Sequence, residues 1–331
     1  MPITVTMPDG GTRPAVAGVT TPLDVAAAIS KSLAKEAVVA KVRWRAGVGV
    51  SGGGRRRLRA RSLGRPSPPL VSPPVQVDGA LWDLARPLES SCTLELAKFD
   101  TPDGKHAFWH SSAHVLGEAL EQCYGVKLTI GPPVEEGFYY DCAMEGRSLT
   151  EADFGAIDVR VAAIVKEKQP FERAVVTRDE ALSMFAENKF KLEIIGGLPE
   201  EATVTLYRCG PMVDLCRGPH LPHTGYLKAA KTTAASAAFW RADAKNDALQ
   251  RVYGVTFPDK ALLADYTHRM EEAKKRDHRR VGTEQDLTLF HPLSPGCAFF
   301  MPAGARVYNA LVDYVKGLYW EHEFDEGRAG A

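Results

Sequence analysis

Several features are missing from this sequence, and each absence excludes a class of protein. Its six cysteines are scattered and form no C-x-x-C pair, which favours reduced thiols over a disulfide framework, a zinc ribbon or a zinc finger. No apolar run approaches the roughly 20 residues that span a bilayer. The N-terminus alternates like a strand and lacks the pattern of a signal peptide. We therefore expect a cytoplasmic protein without a membrane segment.

Bulk charge and nucleotide-binding motifs are missing too. Basic and acidic residues each number 41, so the formal net charge is zero and does not indicate nucleic-acid binding. The sequence has no P-loop and no G-x-G-x-x-G after a strand. Any contact with RNA must come from local patches of charge.

One segment has an unusual charge and composition. Residues 43–77 contain eight arginines, no lysine and no acid, and they are rich in glycine and proline. Such a segment cannot bury a core, so we expect disorder. It could be a basic arm for RNA or a flexible insertion. Joining Val42 directly to Asp78 gives a clean strand–turn–strand pattern with codons that suit splice sites, so we hypothesise a retained intron.

The remaining chain predicts an α+β protein of two or three domains. Residues 1–100 predict a hairpin, a helix capped by Thr21, a strand ending at Val42 and two later strands, which suggests a small β-grasp module. Residues 101–104 predict a linker.

The following segments predict a larger α+β unit and a polar helix. Residues 105–257 contain a helix around His110 and several strands, one of them predicted at residues 191–195. Residues 258–280 predict one long helix, and the last block predicts a strand, a loop and a helix from about Gly304.

Two pairs of ligand-type side chains are the strongest chemical signal. His110 and His114 lie four residues apart in an apolar-periodic helix, so they project from one face. Cys216 and His220 repeat that spacing just after Asp214. Three imidazoles and a thiolate could bind a closed, structural zinc. The same groups could perform metal-free hydrolysis with an imidazole as base, or be core histidines bonded to the backbone.

Three other residues are weaker candidates. Tyr139 and Tyr140 lie in a dense aromatic segment, and such segments usually pack in a core. Lys191 lies between apolar residues, where a lysine usually extends its head group to solvent. Tyrosine hydroxyls that face the histidines would be functional.

Taken in order, these segments resemble the N-terminal half of threonyl-tRNA synthetases of the eukaryotic cytosolic type. The matching motifs are F-W-H-S-S-A-H at 108–114, G-P-P at 131–133, G-F-Y-Y-D at 137–141, Y-R-C-G-P at 207–211, D-L-C-R-G-P-H at 214–220, R-D-H-R at 276–279 and L-S-P-G-C-A-F-F at 293–300. The resemblance covers nearly everything except residues 43–77 and the last five residues.

The resemblance implies a multidomain α+β architecture. Its parts would be a ubiquitin-like (β-grasp) TGS domain in 1–100, an editing domain in 105–257, a linker helix in 258–284 and the incomplete start of a class II catalytic domain in 285–331. The editing domain would hydrolyse mischarged Ser-tRNA(Thr). Editing is needed because serine lacks one methyl of threonine, and a missing methyl gives only about 10- to 200-fold discrimination.

The resemblance also implies roles for individual residues. His110 would handle a proton near the terminal ribose, Lys191 would position or activate water, and Asp214 would fix the substrate amino group. The remaining implied residues are the catalytic-site set His114, Cys216 and His220 and the substrate-binding set Tyr139, Tyr140 and Arg217. Related alanyl editing domains hold zinc with a similar set, whereas the threonyl type works without it, so we favour a site without metal.

Aminoacylation is a different matter. The family uses ATP, magnesium and zinc for it through residues that have no counterpart here, and residues 327–331 resemble translation into a second intron. We therefore expect deacylation but no charging, tRNA(Thr) as the partner, and a homodimer in the longer family members. The alternatives are a TGS/editing-like RNA-binding or regulatory protein without catalysis, and a zinc-dependent hydrolase.

Overall fold

The computed structural model describes residues 1–44, 79–144, 146–325 and 327. It divides into two compact units, Met1–Leu263 and Ala264–Ala331, which are treated separately. Most of the segment that we predicted to be disordered or intronic, and the chain's last four residues, lie outside the described residues.

The first unit begins with a five-stranded mixed sheet and two helices. Its elements are β1 (Pro2–Thr6), β2 (Thr12–Val16), α1 (Pro22–Ile29), α2 (Lys31–Glu36), β3 (Ala37–Trp44), β4 (Ala80–Trp82) and β5 (Cys92–Lys98). The strand order is β2-β1-β5-β3-β4, with β1 and β5 parallel and the other neighbours antiparallel. The predicted cap of α1 is confirmed, because Thr21 and Asp24 form a capping box.

Strand β3 continues two residues beyond its predicted end. Arg43 pairs with Thr93 and Trp44 pairs with Cys92 of β5. The Trp44 ring also packs edge-on against Trp82, with 5.2 Å between centroids. The disorder predicted from residue 43 onward is therefore wrong for Arg43 and Trp44, because backbone pairing and indole packing hold both in the sheet.

The second part of this unit is organised around one long helix. Its elements are α3 (Pro102–Tyr124), β6 (Lys127–Leu128), β7 (Pro133–Val134), β8 (Gly137–Ala143), α4 (Glu151–Glu167), β9 (Phe171–Thr177), α5 (Arg178–Met184), α6 (Lys189–Gly196), β10 (Thr203–Cys209), β11 (Met212–Leu215), β12 (Ala229–Phe239) and β13 (Ala248–Phe257). One sheet has the order β12-β13-β8-β6 with β7 paired to β8, and a second has the order β11-β10-β9. Helix α3 contacts strands of both sheets.

The predicted linker at 101–104 is instead the start of α3. The Thr101 side chain accepts a hydrogen bond from the Gly104 backbone N–H and caps the helix, and Pro102 occupies its first turn. Gly104 lies against β5 so closely that a Cβ there would be 1.8 Å from the Lys98 carbonyl oxygen. The two parts of the unit are therefore joined with no spacer.

The strand predicted at residues 191–195 is also wrong, since these residues lie in α6. The Asn188 side chain accepts hydrogen bonds from the backbone N–H groups of Phe190 and Lys191, which fixes the start of a helix. A short apolar run does not distinguish a buried strand from a buried helix by periodicity alone. As a result Lys191 is buried, and its head group does not extend to solvent.

The second unit contains the end of the polar helix and a small hairpin. The remaining elements are α7 (Lys260–Lys275), α8 (His278–Glu284), β14 (Thr288–Phe290), β15 (Ala298–Phe300) and α9 (Pro302–Glu321). The single long helix predicted for 258–280 is broken, because Asp277 accepts from the Arg279 N–H and caps a new helix. The predicted strand, loop and final helix are confirmed. No helix in the described part of the chain has the length and hydropathy of a membrane span.

Candidate functional site

Helix α3 and the turn after β11 bring the two four-residue pairs into one cluster. The ligand atoms of His110, His114, Cys216 and His220 all lie within 4.8 Å of one another. Cys216 Sγ is 3.2 Å from His110 Nε2 and 3.0 Å from His220 Nε2. The spacing of four therefore did predict which side chains meet, although the pairs lie about a hundred residues apart in sequence.

The hydrogen bonds of this cluster fix where its protons are. Ser111 Oγ lies 2.8 Å from the Ala107 carbonyl oxygen, which has no proton to give, so the hydroxyl donates there. Its lone pairs then accept from the Leu221 N–H at 3.0 Å and from His220 Nδ1–H at 3.0 Å. His220 Nε2 is consequently an acceptor, and the Cys216 thiol donates to it.

The same sequence of donors leaves one nitrogen free. With its proton committed to His220, Cys216 Sγ accepts from the Gly218 N–H at 3.3 Å and from His110 Nε2–H. The lone pair of His110 is then on Nδ1, which is buried and has no hydrogen-bond partner among the described residues. A buried acceptor without a donor costs free energy unless a ligand supplies one. His110 Nδ1 is thus able to accept a hydrogen bond from a ligand; His114 Nδ1 is also buried without a hydrogen-bond partner among the described residues.

A buried ion pair forms the other wall of the cluster. Asp214 Oδ1 accepts from Lys191 Nζ and from the Leu215 N–H, and Oδ2 accepts from the Tyr140 hydroxyl. His114 Nδ1 lies 3.8 Å from Oδ2, within ion-pair reach but beyond a hydrogen bond. Asp214 and Lys191 are 4 % and 3 % exposed. A buried carboxylate with this many donors is a fixed negative charge that can still accept from an ammonium group.

Burial keeps the imidazoles and the thiol uncharged. It lowers the pKa of His110 to about 3, with help from His114 and His106. It lowers the pKa of His114 to about 4 although Asp214 opposes the shift, and it lowers the pKa of His220 as well. Burial also raises the pKa of the Cys216 thiol, in keeping with its role as a donor.

The charge in the site belongs to the ion pair. Burial alone would raise the pKa of Asp214, but the Lys191 ammonium and the hydrogen bonds from Lys191 and Tyr140 outweigh burial and lower it. The pKa of Tyr140 is raised well above its usual value by burial and by Asp214, so its hydroxyl remains a donor. The cluster is therefore a group of neutral lone-pair donors beside one paired carboxylate.

Two predicted substrate contacts do not reach the cluster. Tyr139 and Tyr140 alternate across β8, so only Tyr140 faces Asp214. The Tyr139 ring lies on the other face, under the Arg251 guanidinium at 3.9 Å. Arg217 is exposed, and no described hydrogen bond or ion pair joins it to the cluster.

Sequence reasoning assigned no role to several residues that the site includes. Ser111 was part of a quoted motif, and Tyr207 began another, yet neither was proposed as functional. Asp83, which lies in none of the quoted motifs, is buried and accepts hydrogen bonds from the His220 N–H and the Tyr207 hydroxyl, both at 2.7 Å. No local pattern in the sequence indicates these long-range partners.

A pocket opens beside the ion pair. It has a volume of about 410 Å³, and Glu121, Lys191 and Asp214 are among its lining residues. Burial, and then the Asp214 charge, raise the pKa of Glu121 to about 7. Solvent in this pocket reaches the ion pair without passing the histidines, which do not line it.

The donor set also fits a metal ion. In a tetrahedral zinc site, Zn–N bonds of about 2.0–2.1 Å and Zn–S bonds of about 2.3 Å place the ligand atoms between 3 and 4 Å apart. The distances of 3.2 and 3.0 Å from Cys216 Sγ to the two imidazoles are close to that range. His110, His114, Cys216 and His220 would hold the ion, and with all four positions filled its contribution would be structural.

Comparison with known proteins identifies both parts of the first unit. The TGS domain family matches residues 3–50, and the family described as "Threonyl and Alanyl tRNA synthetase second additional domain" matches residues 204–253. These two families together define the class: an aminoacyl-tRNA synthetase region with an editing-type domain.

The curated relatives narrow the class. The chain is 46 % identical over 98 % of its length to threonine–tRNA ligase, mitochondrial 1, of Arabidopsis thaliana, and 46 % identical over 98 % to probable threonine–tRNA ligase 1, cytoplasmic, of Dictyostelium discoideum. It is 42 % identical over 98 % to human threonine–tRNA ligase 1, cytoplasmic. The chain is thus similar over nearly its whole length to a part of these threonine–tRNA ligases, and it spans 41 %, 41 % and 40 % of the three relatives.

Removing one member of the buried ion pair should be strongly destabilising, because the other charge is then buried without a partner. We expect Asp214→Asn or Lys191→Met to lower the free energy of unfolding by about 3–5 kcal/mol. The double variant should lose less than the sum of the two, as measured by urea unfolding of the full chain.

Lys189→Met is the matched control on the same helix. It removes an ion pair between the side chains of Lys189 and Asp247, which are 66 % and 48 % exposed. The free energy of unfolding should fall by less than about 1 kcal/mol. Equal, small effects of the Lys189 and Lys191 substitutions would contradict the assigned burial.

The neutral histidines should make the fold acid-sensitive. Their pKa values lie below the unfolded value of about 6.5, so the unfolded chain binds more protons below that pH and stability is lost as the pH falls from 6.5 toward 4. For His110 and His114, whose pKa values are lowered to about 3 and about 4, we expect a loss of about 2 kcal/mol each by pH 5. Thermal unfolding between pH 7.5 and 5 tests this; a His114→Gln variant with the same pH slope as the natural chain would contradict it.

Proposed function

We propose that this chain hydrolyses the ester of Ser-tRNA(Thr), acting as a deacylase that edits mischarged tRNA. The observation that carries the proposal is the free lone pair on His110 Nδ1, buried among uncharged groups beside the paired carboxylate of Asp214. This arrangement suits a substrate that carries both hydroxyl donors and an ammonium group, as an aminoacylated ribose does. The similarity to threonine–tRNA ligases supports that choice of substrate.

The residues divide the work of ester hydrolysis. Asp214 would hold the ammonium group of the serine, since its fixed charge is complementary to it. His110 Nδ1 would accept a hydrogen bond from a hydroxyl of the terminal ribose; its pKa of about 3 keeps that lone pair unprotonated at neutral pH. Lys191 would orient the attacking water by donating to it. Water adds to the ester carbonyl, the bond to the ribose oxygen breaks, and that oxygen takes the proton that the water loses, giving serine and free tRNA.

The other members of the cluster hold these groups in place. Cys216 and His220 fix the His110 tautomer through their hydrogen bonds. The His114 ring packs edge-on against the His220 ring, with 4.4 Å between centroids, and so helps to hold the His220 ring in place. Rejecting threonine would require a pocket too tight for its extra methyl, whereas the serine hydroxymethyl fits.

We favour hydrolysis without an editing-site metal. The thiol and the imidazoles of His110 and His220 already satisfy one another's hydrogen bonds in the arrangement described, which leaves His110 Nδ1 free for the substrate. If zinc is bound instead, binding by all four ligands would make it structural, and a zinc-dependent hydrolase would require one of the four positions to stay open for water.

The finer assignments of fold and setting belong to the same proposal. The parallel β1–β5 pair beside α1 supports a β-grasp assignment for the first sheet. The second unit would be the start of a class II catalytic domain, whose charging reaction uses ATP, magnesium and zinc in the whole synthetase. The partner would be tRNA(Thr), the compartment the cytoplasm, and a homodimer would form in the whole enzyme. The non-catalytic alternative is an RNA-binding or regulatory protein.

Deacylation of preformed aminoacyl-tRNA tests the proposal. The full chain should hydrolyse Ser-tRNA(Thr) faster than Thr-tRNA(Thr), and His110→Ala should reduce the rate at least about 100-fold, the usual contribution of a proton-handling group. The control is His268→Ala, which removes an exposed histidine of α7. Binding of tRNA without hydrolysis would favour the non-catalytic alternative, and full activity of His110→Ala would refute its assigned role.

The same assay distinguishes the metal alternatives. Activity should survive dialysis against a chelator, and elemental analysis of the active protein should find no stoichiometric zinc. Loss of activity on chelation with recovery on added zinc would favour the zinc-dependent hydrolase.

A further inference from the structure

One carboxylate of the N-terminal sheet lies inside the second part of the first unit. Asp83 follows the last residue of β4 directly, and the side chains on either side of it, Trp82 and Leu84, are buried in the core of that sheet. Asp83 itself is 9 % exposed. Its neighbours therefore anchor it in the first sheet while its carboxylate points to another part of the chain.

Both oxygens of Asp83 accept hydrogen bonds from residues more than 120 positions away. Oδ1 accepts from the His220 backbone N–H and Oδ2 from the Tyr207 hydroxyl, each at 2.7 Å. These bonds are short, and at least one partner of each is charged or strongly polarised, so in a buried setting they are directional constraints.

The two donors converge on one imidazole. The His220 backbone N–H donates to Asp83, while its ring belongs to the cluster. In the ring, Nε2 accepts from the Cys216 thiol and Nδ1–H donates to Ser111 Oγ. The Tyr207 ring meets the His220 ring edge-on, with 4.5 Å between centroids and 75° between planes. Asp83 thus holds the backbone of His220 and the aromatic wall against which its ring packs.

Tyr207 also fixes the turn that carries Cys216. A Cβ at Gly218 would be 2.2 Å from the Tyr207 hydroxyl oxygen, so the backbone of the turn lies directly on that hydroxyl. The Gly218 N–H in turn donates to Cys216 Sγ. A shift of the Tyr207 hydroxyl would therefore move the turn. The Cys216 thiol, which fixes the tautomer of His110, would move with it.

We propose that Asp83 is a positioning residue of the hydrolytic site, so that the N-terminal sheet supplies part of the geometry on which editing depends. Asp83 does not touch the reacting atoms; it sets the place of His220 and Tyr207, and through them of Cys216 and His110. The expected loss of kcat rests on the proposed deacylase function. The expected displacement of His220 rests on the hydrogen bonds alone.

The test compares variants of the full chain in saturating and subsaturating Ser-tRNA(Thr). Asp83→Ala should lower kcat about 100-fold, the loss expected for a misplacement near 1 Å, with little change in KM. Asp83→Asn keeps an acceptor for the His220 N–H and a polar partner for Tyr207, and should restore most of that loss. Tyr207→Phe removes one hydroxyl and should lower kcat in the same direction.

Tyr226→Phe is the matched control. It removes the hydroxyl that donates to the Ala34 carbonyl at 3.2 Å, another bond between the N-terminal part and the rest of the unit, but one away from the cluster. It should leave kcat unchanged. Equal losses of kcat in Tyr226→Phe and Tyr207→Phe would mean that Asp83 only helps to hold the two parts of the unit together. That result would overturn the inference.

A second readout is independent of activity. In protein labelled with ¹⁵N-histidine, the imidazole resonances of His220 should shift in Asp83→Ala and Tyr207→Phe but not in Tyr226→Phe. If the natural chain hydrolyses nothing, the proposed function fails, and these resonances alone decide the inference. Folded Asp83→Ala with unchanged His220 resonances overturns it; if that variant does not fold, Tyr207→Phe is judged by the same criteria.

Discussion

The carboxylate of Asp214 is the charge around which the site is balanced. Lys191 from α6, Tyr140 from β8 and His114 from α3 converge on it from three elements. The paired charge makes it possible to bury an anion beside three imidazoles, and burial keeps those imidazoles neutral. A site of neutral acceptors next to one fixed anion is suited to bind a cationic, hydroxyl-bearing substrate, because the imidazoles stay unprotonated while it is bound.

A chain of hydrogen bonds gives the neutral cluster its direction. It runs from the Asp83 carboxylate to the His220 backbone, and from the Ser111 hydroxyl through His220 and Cys216 to His110. From Ser111 onward, the proton count of each group determines the next hydrogen bond, and the series ends at His110 Nδ1, which has no partner among the described residues. The first sheet and the long helix α3 are therefore structural components of one site, which explains why they are joined without a spacer.

The sequence predicted those parts of the site that depend on local spacing or on family motifs. The i, i+4 pairs and the resemblance named His110, His114, Asp214, Cys216 and His220, and all five lie in one cluster. It could not predict that residues 191–195 form a helix, because a five-residue segment with three apolar residues fits either structure, and the Asn188 cap decides. Asp83 escaped for another reason: its partners are more than 120 residues away, and only tertiary packing brings them together.

The central claim is that His110 Nδ1 and Asp214 receive the two ends of an aminoacylated ribose. The most direct test is a crystal structure of the full chain with a hydrolysis-resistant seryl-adenosine amide. The account predicts a ribose hydroxyl within hydrogen-bond distance of His110 Nδ1 and the seryl ammonium on the Asp214 carboxylate. An analogue bound away from these atoms, or anomalous density for zinc among His110, His114, Cys216 and His220, would contradict it.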